Sequence, residues 1–384
     1  MKRLKFIHFV IDDKFIPDSI ACFENSKLTD NIFYYFTKKQ RELSFLDASI
    51  VKTITQNEAL SIVTQGEGDV ICLHSIFSLP YKIIAKINPK FKVIWYAWGA
   101  DLYSNPKPTG PLLDIGDRFL PKTKEIIPNT FSRKLVNSIK DIVKLIIRRN
   151  NSTEDVHKAI SRIDYFSGVF PIEHEMMIKS CKFFRAQRVT HNYIHPQEFD
   201  IKDIDEPIKV EGCNLLLGNS ATYHINHVDV IEMIAPFVVQ GTEIIVPLSY
   251  QGIPQYVDKV IEYGKRKFGN NFVPLKGYLP LDQYTKIMNS CNAVILGQKQ
   301  QAATCNCLTA LWNGLRLFLF EDSMNYKYYS SIGLKVFSIE KDFSCNPQLT
   351  KEDVDRNRKI IEGLYSYRQW VEDLKECISI ISNC

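Results

Sequence analysis

The sequence predicts an α/β chain made of two doubly wound halves, and three observations carry that prediction. Short apolar runs rich in β-branched and aromatic residues recur with helical stretches between them, the alternation that builds parallel sheets with crossover helices. Several of these runs stop at a glycine, a small polar residue or an acid, and in parallel sheets ligands gather at the carboxyl ends of the strands. A polar, acidic stretch at 196–207, PQEFDIKDIDEP, interrupts the alternation in the manner of a linker. At 384 residues the chain is long for a single core, so two domains are expected.

The first half reads as follows. Residues 4–11 form a buried strand with Asp12 and Asp13 at its carboxyl end. The opening MKRLKFIHFVIDD mimics a short signal peptide, but His8 interrupts its apolar run and two acids end it, so a strand is the better reading. Strands are expected at 31–37 (NIFYYFT), 69–77 (DVICLHSIF) and 91–97 (FKVIWYA), with a helix-like stretch at 81–87. The last of these runs into Trp98-Gly99-Ala100-Asp101, so Asp13, His74 and Asp101 all fall at strand ends. Residues 102–128 hold five prolines and read as an irregular excursion. Residues 131–149 then place Leu135, Val136, Ile139, Ile142, Val143, Ile146 and Ile147 on one stripe, with Lys134, Lys140, Lys144 and Arg148 off it. A strand at 163–170 closes at Pro171, and a short helix begins near Glu173.

The second half opens on CNLLLGNSATYHINHVDVIEMIAPF, residues 213–237. An apolar run at 215–217 stops at Gly218; Asn219, Ser220 and Thr222 follow. A helical pattern then recurs at Val228, Ile231, Ile234, Ala235 and Val238, with Asn226 and Asp229 spaced as a loose capping box. A strand, a small polar turn and a helix start offer backbone N–H groups and a positive dipole end to a phosphate, and His227 would face the same anion. An ordinary turn with a satisfied histidine gives the same pattern. Strands at 243–247, 272–275, 293–296 and 317–320 alternate with helices at 256–268, 281–291 and 306–313, the last with Gly314 as its C-terminal glycine. Two loops carry polar side chains: 248–252, which presents Tyr250, and 298–304 (QKQQAAT). Glu321 and Asp322 follow the last strand, and helices close the chain from 351 to 381.

Composition narrows the function. The chain is 45% apolar and 24% charged, as folded globular proteins are. Its net charge is +5, but residues 118–149 hold nine basic and two acidic side chains, so that segment carries +7 and the rest −2. A local charge device fits this better than a general nucleic-acid surface, and no nucleic-acid partner is expected. The basic amphipathic stretch at 131–149 reads either as a surface helix packed on the core or as a helix lying on an anionic membrane face. No stretch approaches the roughly 18 apolar residues of a spanning helix. Ten cysteines show no metal-ligand spacing beyond a lone Cys305-x-Cys307, which points to a reducing compartment without disulfides. Asp203 and Asp205 form a DxD, but in a hydrophilic linker rather than after a strand, so no metal site is expected. Neither GxGxxG after the first strand nor GxxxxGK[ST] is present, which argues against dinucleotide oxidoreductases and P-loop NTPases.

Four stretches, WYAWGADLY (95–103), LLLGNSATYHINH (215–227), PLSY (247–250) and the QQ…C loop (300–307), resemble the TDP-N-acetylfucosamine:lipid II N-acetylfucosaminyltransferase family. These are GT-B glycosyltransferases of enterobacterial common antigen and related surface glycan pathways. The resemblance spans residues from the first strand to about Asp322. It implies a GT-B fold, two Rossmann-like domains facing each other across a cleft: 1–200 on the acceptor side, 209–350 binding the nucleotide sugar, and 351–384 returning to the first domain. On the donor side it matches Gly218, Asn219, Ser220 and His227, with Tyr250, Gln300 and Gln301, and Thr304 in the same loop. On the acceptor side it matches His8, Asp13, Gly99 and Asp101. The family carries glycines just after the QQ pair, where this chain has Ala302 and Thr304, so the sugar and the base stay open.

The resemblance implies a transferase that moves a TDP-activated, N-acetylfucosamine-like sugar onto a polyprenyl-diphosphate-linked glycan. It would work without metal or cofactor, peripherally, at the cytoplasmic face of the inner membrane. Helix dipoles and side chains would neutralise the leaving diphosphate. An inverting enzyme would need a base for the acceptor hydroxyl; Asp13 is the first candidate and Asp101 the second, with His8 and His74 behind them. Two rivals share some of these features. A GT-B-fold nucleotide-sugar epimerase would turn over without acceptor. A non-catalytic membrane-surface scaffold of a glycan assembly complex would bind no nucleoside diphosphate.

Overall fold

A computed structural model describes residues 3–38, 42–103, 110–128, 152–192, 212–277 and 279–383. The amphipathic stretch at 131–149 and the linker at 196–207, with its DxD, lie outside these residues. The chain divides into two compact units.

In the first unit the apolar runs are strands: β1 (Lys5–Val10), β2 (Asp30–Phe36), β3 (Val51–Ile54), β4 (Val70–His74), β5 (Lys92–Tyr96), β6 (Tyr165–Ser167) and β7 (Gln187–Arg188). They form one parallel sheet in the order β3-β2-β1-β4-β5-β6-β7. β4 and β5 are buried along almost their whole length, which is why they read as continuous apolar runs rather than alternating ones. β3 is an edge strand with two of its four residues exposed, so its sequence carried little strand signal. Helices cover the sheet, among them Ile16–Ser26 after β1 and Gln56–Gln65 after β3. The second of these starts at a capping box of Thr55 and Glu58.

The second unit holds β8 (Asn214–Leu217), β9 (Ile244–Pro247), β10 (Phe272–Leu275), β11 (Cys291–Leu296), β12 (Arg316–Leu319) and β13 (Phe337–Ser338). All pairs are parallel, in the order β10-β9-β8-β11-β12-β13. Its core gathers Leu215, Leu217, Val228, Ile231, Val246, Tyr256 and Ile295. Gly314, at φ +80°, ends the helix Thr304–Trp312 as expected. The two parallel sheets flanked by helices are an α/β GT-B architecture.

Two domain expectations are corrected. Residues 1–200 do not all belong to the first unit, because 115–128 cluster with the second. There Leu120 and Ile126 pack against the core, and Pro121–Ile126 forms a helix with proline in its first turn, the position where a missing N–H costs least. Nor does the whole of 351–384 return to the first unit. Residues 351–364 of the helix Lys351–Tyr365 belong to the second, held by Arg358 Nε donating to the Trp312 carbonyl and by Asn357 accepting from the Lys335 N–H. The return is made by Tyr367–Ser382, whose Trp370, Leu374, Cys377 and Ile381 enter the first unit's core.

Candidate active site

In the second sheet β8 has β9 on one side and β11 on the other, so the chain reverses its winding direction there. Such a switch point opens a crevice at the strands' carboxyl ends. Two loops border it, Gly218–Asn226 after β8 and 297–303 after β11. They touch. A β-carbon on Gly297 would lie 2.2 Å from the Ile225 carbonyl oxygen, so no larger residue fits without moving backbone. Asn226, fully buried and at φ +53°, ties the loops together. Its Nδ2 donates to the carbonyls of Gly297 (2.8 Å), Arg118 (3.1 Å) and His224 (3.1 Å), and its Oδ1 accepts from the Leu120 N–H (2.8 Å).

The helix begins at His227, directly after Asn226, as the periodicity predicts, but not through the capping box. With its carboxamide occupied by three carbonyls and an amide, Asn226 makes no side-chain cap. Asp229 faces elsewhere. It accepts from the N–H groups of Lys122 (3.0 Å) and Thr123 (2.7 Å), placing a carboxylate at the positive end of the helix Pro121–Ile126.

His227 lies at the bottom of the first loop, with no exposed surface. Its Nδ1 is 3.0 Å from the Tyr256 hydroxyl, and its buried Nε2 has no hydrogen-bond partner. Burial pushes its pKa down to about 3, with the Ser220 main chain opposing, so at neutral pH the ring is uncharged and one nitrogen donates. Burial pushes the Tyr256 phenol up, which keeps it protonated. Ser220 is buried, its hydroxyl 3.1 Å from that of Thr222, and Asn219 is half-buried beside it. The Ala221 N–H donates to the Tyr250 carbonyl (2.9 Å), which sets the exposed Tyr250 next to this loop.

In the second loop Gln300, Gln301 and Thr304 are all buried. Gln301 Nε2 donates to Thr304 Oγ1 at 2.8 Å, at the start of the helix Thr304–Trp312. Between them Ala303 adopts φ +56°, which costs a residue with a β-carbon about 1–2 kcal/mol. Asn325, buried beneath, donates to the Ala302 carbonyl (2.8 Å) and helps hold that turn. Lys299 is paired with Asp322 (2.7 Å) and Glu321 with Lys341 (2.7 Å). The eight expected donor-side residues therefore occupy the two loops of one switch point and the turn at Tyr250 packed on the first.

In the first unit Asp13, His74 and Asp101 lie at or just past the carboxyl ends of the neighbouring strands β1, β4 and β5. Asp13 follows β1, half-buried, its Oδ1 accepting from the Phe15 N–H at 3.2 Å. Burial raises its pKa, with the Phe15 amide and Lys14 opposing and Asp12 adding to it. Asp101 is fully buried and accepts four hydrogen bonds: Ser75 Oγ (2.6 Å), Ile76 N–H (3.0 Å), Trp95 Nε1 (2.9 Å) and Trp98 N–H (3.1 Å). Burial still pushes it up to about 6. Ser75 sits at φ +90°, so this carboxylate pins a strained turn. His8 is a core residue: Nδ1 is 3.0 Å from His74 Nε2, and Nε2 is 3.1 Å from Asn31 Oδ1. His74 and His191 are buried with it.

Sequence reading missed Arg118, Asn226 as a clamp, Asp229 and Asn325. Arg118 was grouped with the basic stretch that follows it, whereas its Nη1 lies 3.3 Å from Gln300 Oε1. Proline at 121 was a legible helix signal, but nothing local says which unit that helix joins. Among the described residues no cluster of three or more His, Cys, Asp or Glu side chains could hold a metal ion.

The sequence model of one family, "4-alpha-L-fucosyltransferase glycosyl transferase group 56", matches residues 175–315, which include both loops. No curated protein matches the chain by sequence. Solved structures share its fold at low identity. A glycosyltransferase from Rickettsia africae is 11% identical with a TM-score of 0.64, covering 99% of each chain. Anabaena HepE in complex with UDP-glucose is 10% identical with a TM-score of 0.63, over 98% of this chain and 100% of that one. The lipopolysaccharide outer core galactosyltransferase WaaB is 9% identical with a TM-score of 0.57, over 98% and 99%. With its GT-B fold and this family match, the chain is a glycosyltransferase related to the fucosyltransferase group whose model it matches.

Proposed function

We propose that this glycosyltransferase moves a deoxy-amino sugar of the N-acetylfucosamine type from a nucleoside diphosphate, TDP by preference, to a polyprenyl-diphosphate-linked glycan. The observation that carries the reading is the switch point of the second unit. Two loops meet there, and a buried imidazole nitrogen without a partner lies beneath the Gly218 turn. A diphosphate seated on these loops would receive neutral donors from Asn219, Ser220, His227 and Thr304, and backbone N–H groups from the helix start at Thr304. The fucosyl transfer named by the matching family supports a 6-deoxy sugar. The UDP-glucose bound to HepE keeps UDP as the competing nucleotide.

The proton of the attacking acceptor hydroxyl is assigned to Asp13. It is half-buried with a raised pKa and accepts a single hydrogen bond from Phe15, whereas Asp101 already accepts four. Membrane association is assigned to the basic stretch at 131–149, on its sequence alone. Each cation near an anionic surface contributes about 1 kcal/mol, so co-sedimentation with anionic but not neutral vesicles is expected, weakened by salt. Calorimetric titration with TDP, UDP, GDP and CMP tests the donor site, followed by transfer from the matching nucleotide sugar to a lipid-linked acceptor. Binding of none of the four would end the donor reading. Turnover of the nucleotide sugar without acceptor would favour an epimerase.

A further inference from the structure

We propose that Arg118, carried by the strap 115–128, is the cation that pairs with the donor's diphosphate. This rests on the donor reading above and adds what that reading lacks. A nucleoside diphosphate brings at least two negative charges, yet Asn219, Ser220, Gln300, Gln301 and Thr304 are uncharged, and Lys299 is already paired with Asp322. Arg118 is half-buried at the junction of the two loops. Its carbonyl accepts from Asn226 Nδ2 (3.1 Å), and Asn226 also holds Gly297 of the other loop. Its guanidinium Nη1 rests 3.3 Å from Gln300 Oε1, a neutral acceptor whose flexible side chain yields readily to phosphate oxygens.

The strap holds this position firmly. Phe119 stacks on His224 with ring centroids 4.9 Å apart and planes 13° from parallel. Leu120 bonds to Asn226, and Lys122 and Thr123 bond to Asp229. These four anchors, at Phe119, Leu120, Lys122 and Thr123, fix the main chain from which the guanidinium extends, and a planar guanidinium matches two phosphate oxygens at once. His224 does not compete for the role. Burial, with Arg118 adding to it, lowers its pKa to about 4, so it is neutral where Arg118 is charged.

The test titrates wild type, Arg118→Ala and Arg118→Lys with TDP and UDP, and with thymidine and uridine as uncharged probes. Arg118→Ala should lose roughly 10- to 100-fold in nucleoside diphosphate affinity, the equivalent of one charge-assisted contact. Nucleoside binding and the ligand-free melting temperature should stay unchanged, and Arg118→Lys should recover part of the loss. If wild type binds neither diphosphate, the donor reading itself fails and takes this proposal with it. If wild type binds and Arg118→Ala binds equally well, Arg118 is not a diphosphate ligand. A parallel loss of nucleoside binding with a lowered melting temperature would make it a structural residue, and that too would overturn the proposal.

Discussion

The unpartnered Nε2 of His227 lies 3.1 Å from where a β-carbon on Gly218 would sit. The same β-carbon would be 2.8 Å from Ile225 Cγ2, and Gly218 adopts φ +77°. Glycine thus serves backbone and space together, letting the main chain turn directly over the imidazole. Gly218→Ala should cost about 1–3 kcal/mol of stability from left-handed strain and crowding. It should also weaken nucleoside diphosphate binding by displacing the loop. Denaturant unfolding and titration of the same variant check this, and wild-type values in both would show that the turn tolerates a side chain.

Asp229 is the second clamp on the strap, after Asn226. Its two oxygens accept from Lys122 and Thr123, and hydrogen bonds to charged groups contribute about 1.5–3 kcal/mol each. Asp229→Ala should release the strap while the sheet persists. The expected readout is faster hydrogen exchange at Lys122 and Thr123 and faster proteolysis at Lys122 and Lys124, with the core amides of β8 and β11 unchanged. Equal exchange in both proteins would show that packing of Leu120 and Ile126 alone holds the segment.

The strands that position the site were legible because they are short apolar runs ended by turn residues, and β10 matched residue for residue. What escaped were features decided by tertiary partners. β3 is half-exposed at an edge, and β7 and β13 are two residues each, too short for a period to show. Residues 102–128 looked irregular because of their prolines, yet Pro121 starts a helix. The unit that helix joins is chosen by Asn226 and Asp229, more than 100 positions away in sequence. Gly218, Asn219, Ser220 and His227 follow from the strand, turn and helix-start pattern, whereas Tyr250, Gln300, Gln301 and Thr304 take their donor-side role from the resemblance. The capping-box reading of Asn226 and Asp229 failed because each side chain bonds to groups distant in sequence instead of to the other's main-chain N–H.

The buried imidazoles of the first unit set an acid limit on its stability. Burial lowers the pKa of His8 and of His191 to about 3, and His74 is also pushed well below its ordinary value, with the other two adding to it. The unfolded chain takes up protons near pH 6.5 and the folded unit does not. Their stabilising neutrality is therefore complete above pH 6.5 and is lost as pH falls towards the folded values. Between pH 6.5 and 5 the loss is about 2 kcal/mol for each of His8 and His191. Asp101 and Glu173, raised to about 6 and 7, work in the opposite direction, favouring the fold as they protonate. The histidine contribution is isolated by comparing wild type with His191→Phe, which suits the ring contacts of His191 with Phe23 and Trp370. The stability difference between the two should shift towards the variant as pH drops from 7 to 5. A difference independent of pH would mean that His191 takes up its proton in the fold as it does in the unfolded chain.

Asp13 and Asp101 are separated by what each already holds. Asp101 receives two main-chain N–H groups, an indole N–H and a hydroxyl. An amide in its place would turn an NH2 group towards some of these donors. Asp101→Asn should therefore unfold at lower denaturant and lose activity through the fold. Asp13 accepts from one amide, and its raised pKa makes it a better proton acceptor than an exposed aspartate. Asp13→Asn should keep the wild-type melting temperature and nucleoside diphosphate affinity while kcat falls about 10²–10⁴-fold, the usual contribution of a general base. In wild type the rate should decline as pH falls through the raised pKa of Asp13, and that acid limb should vanish in the residual activity of Asp13→Asn. An acid limb that persists in the variant, or a rate near wild type, would move the base to another side chain.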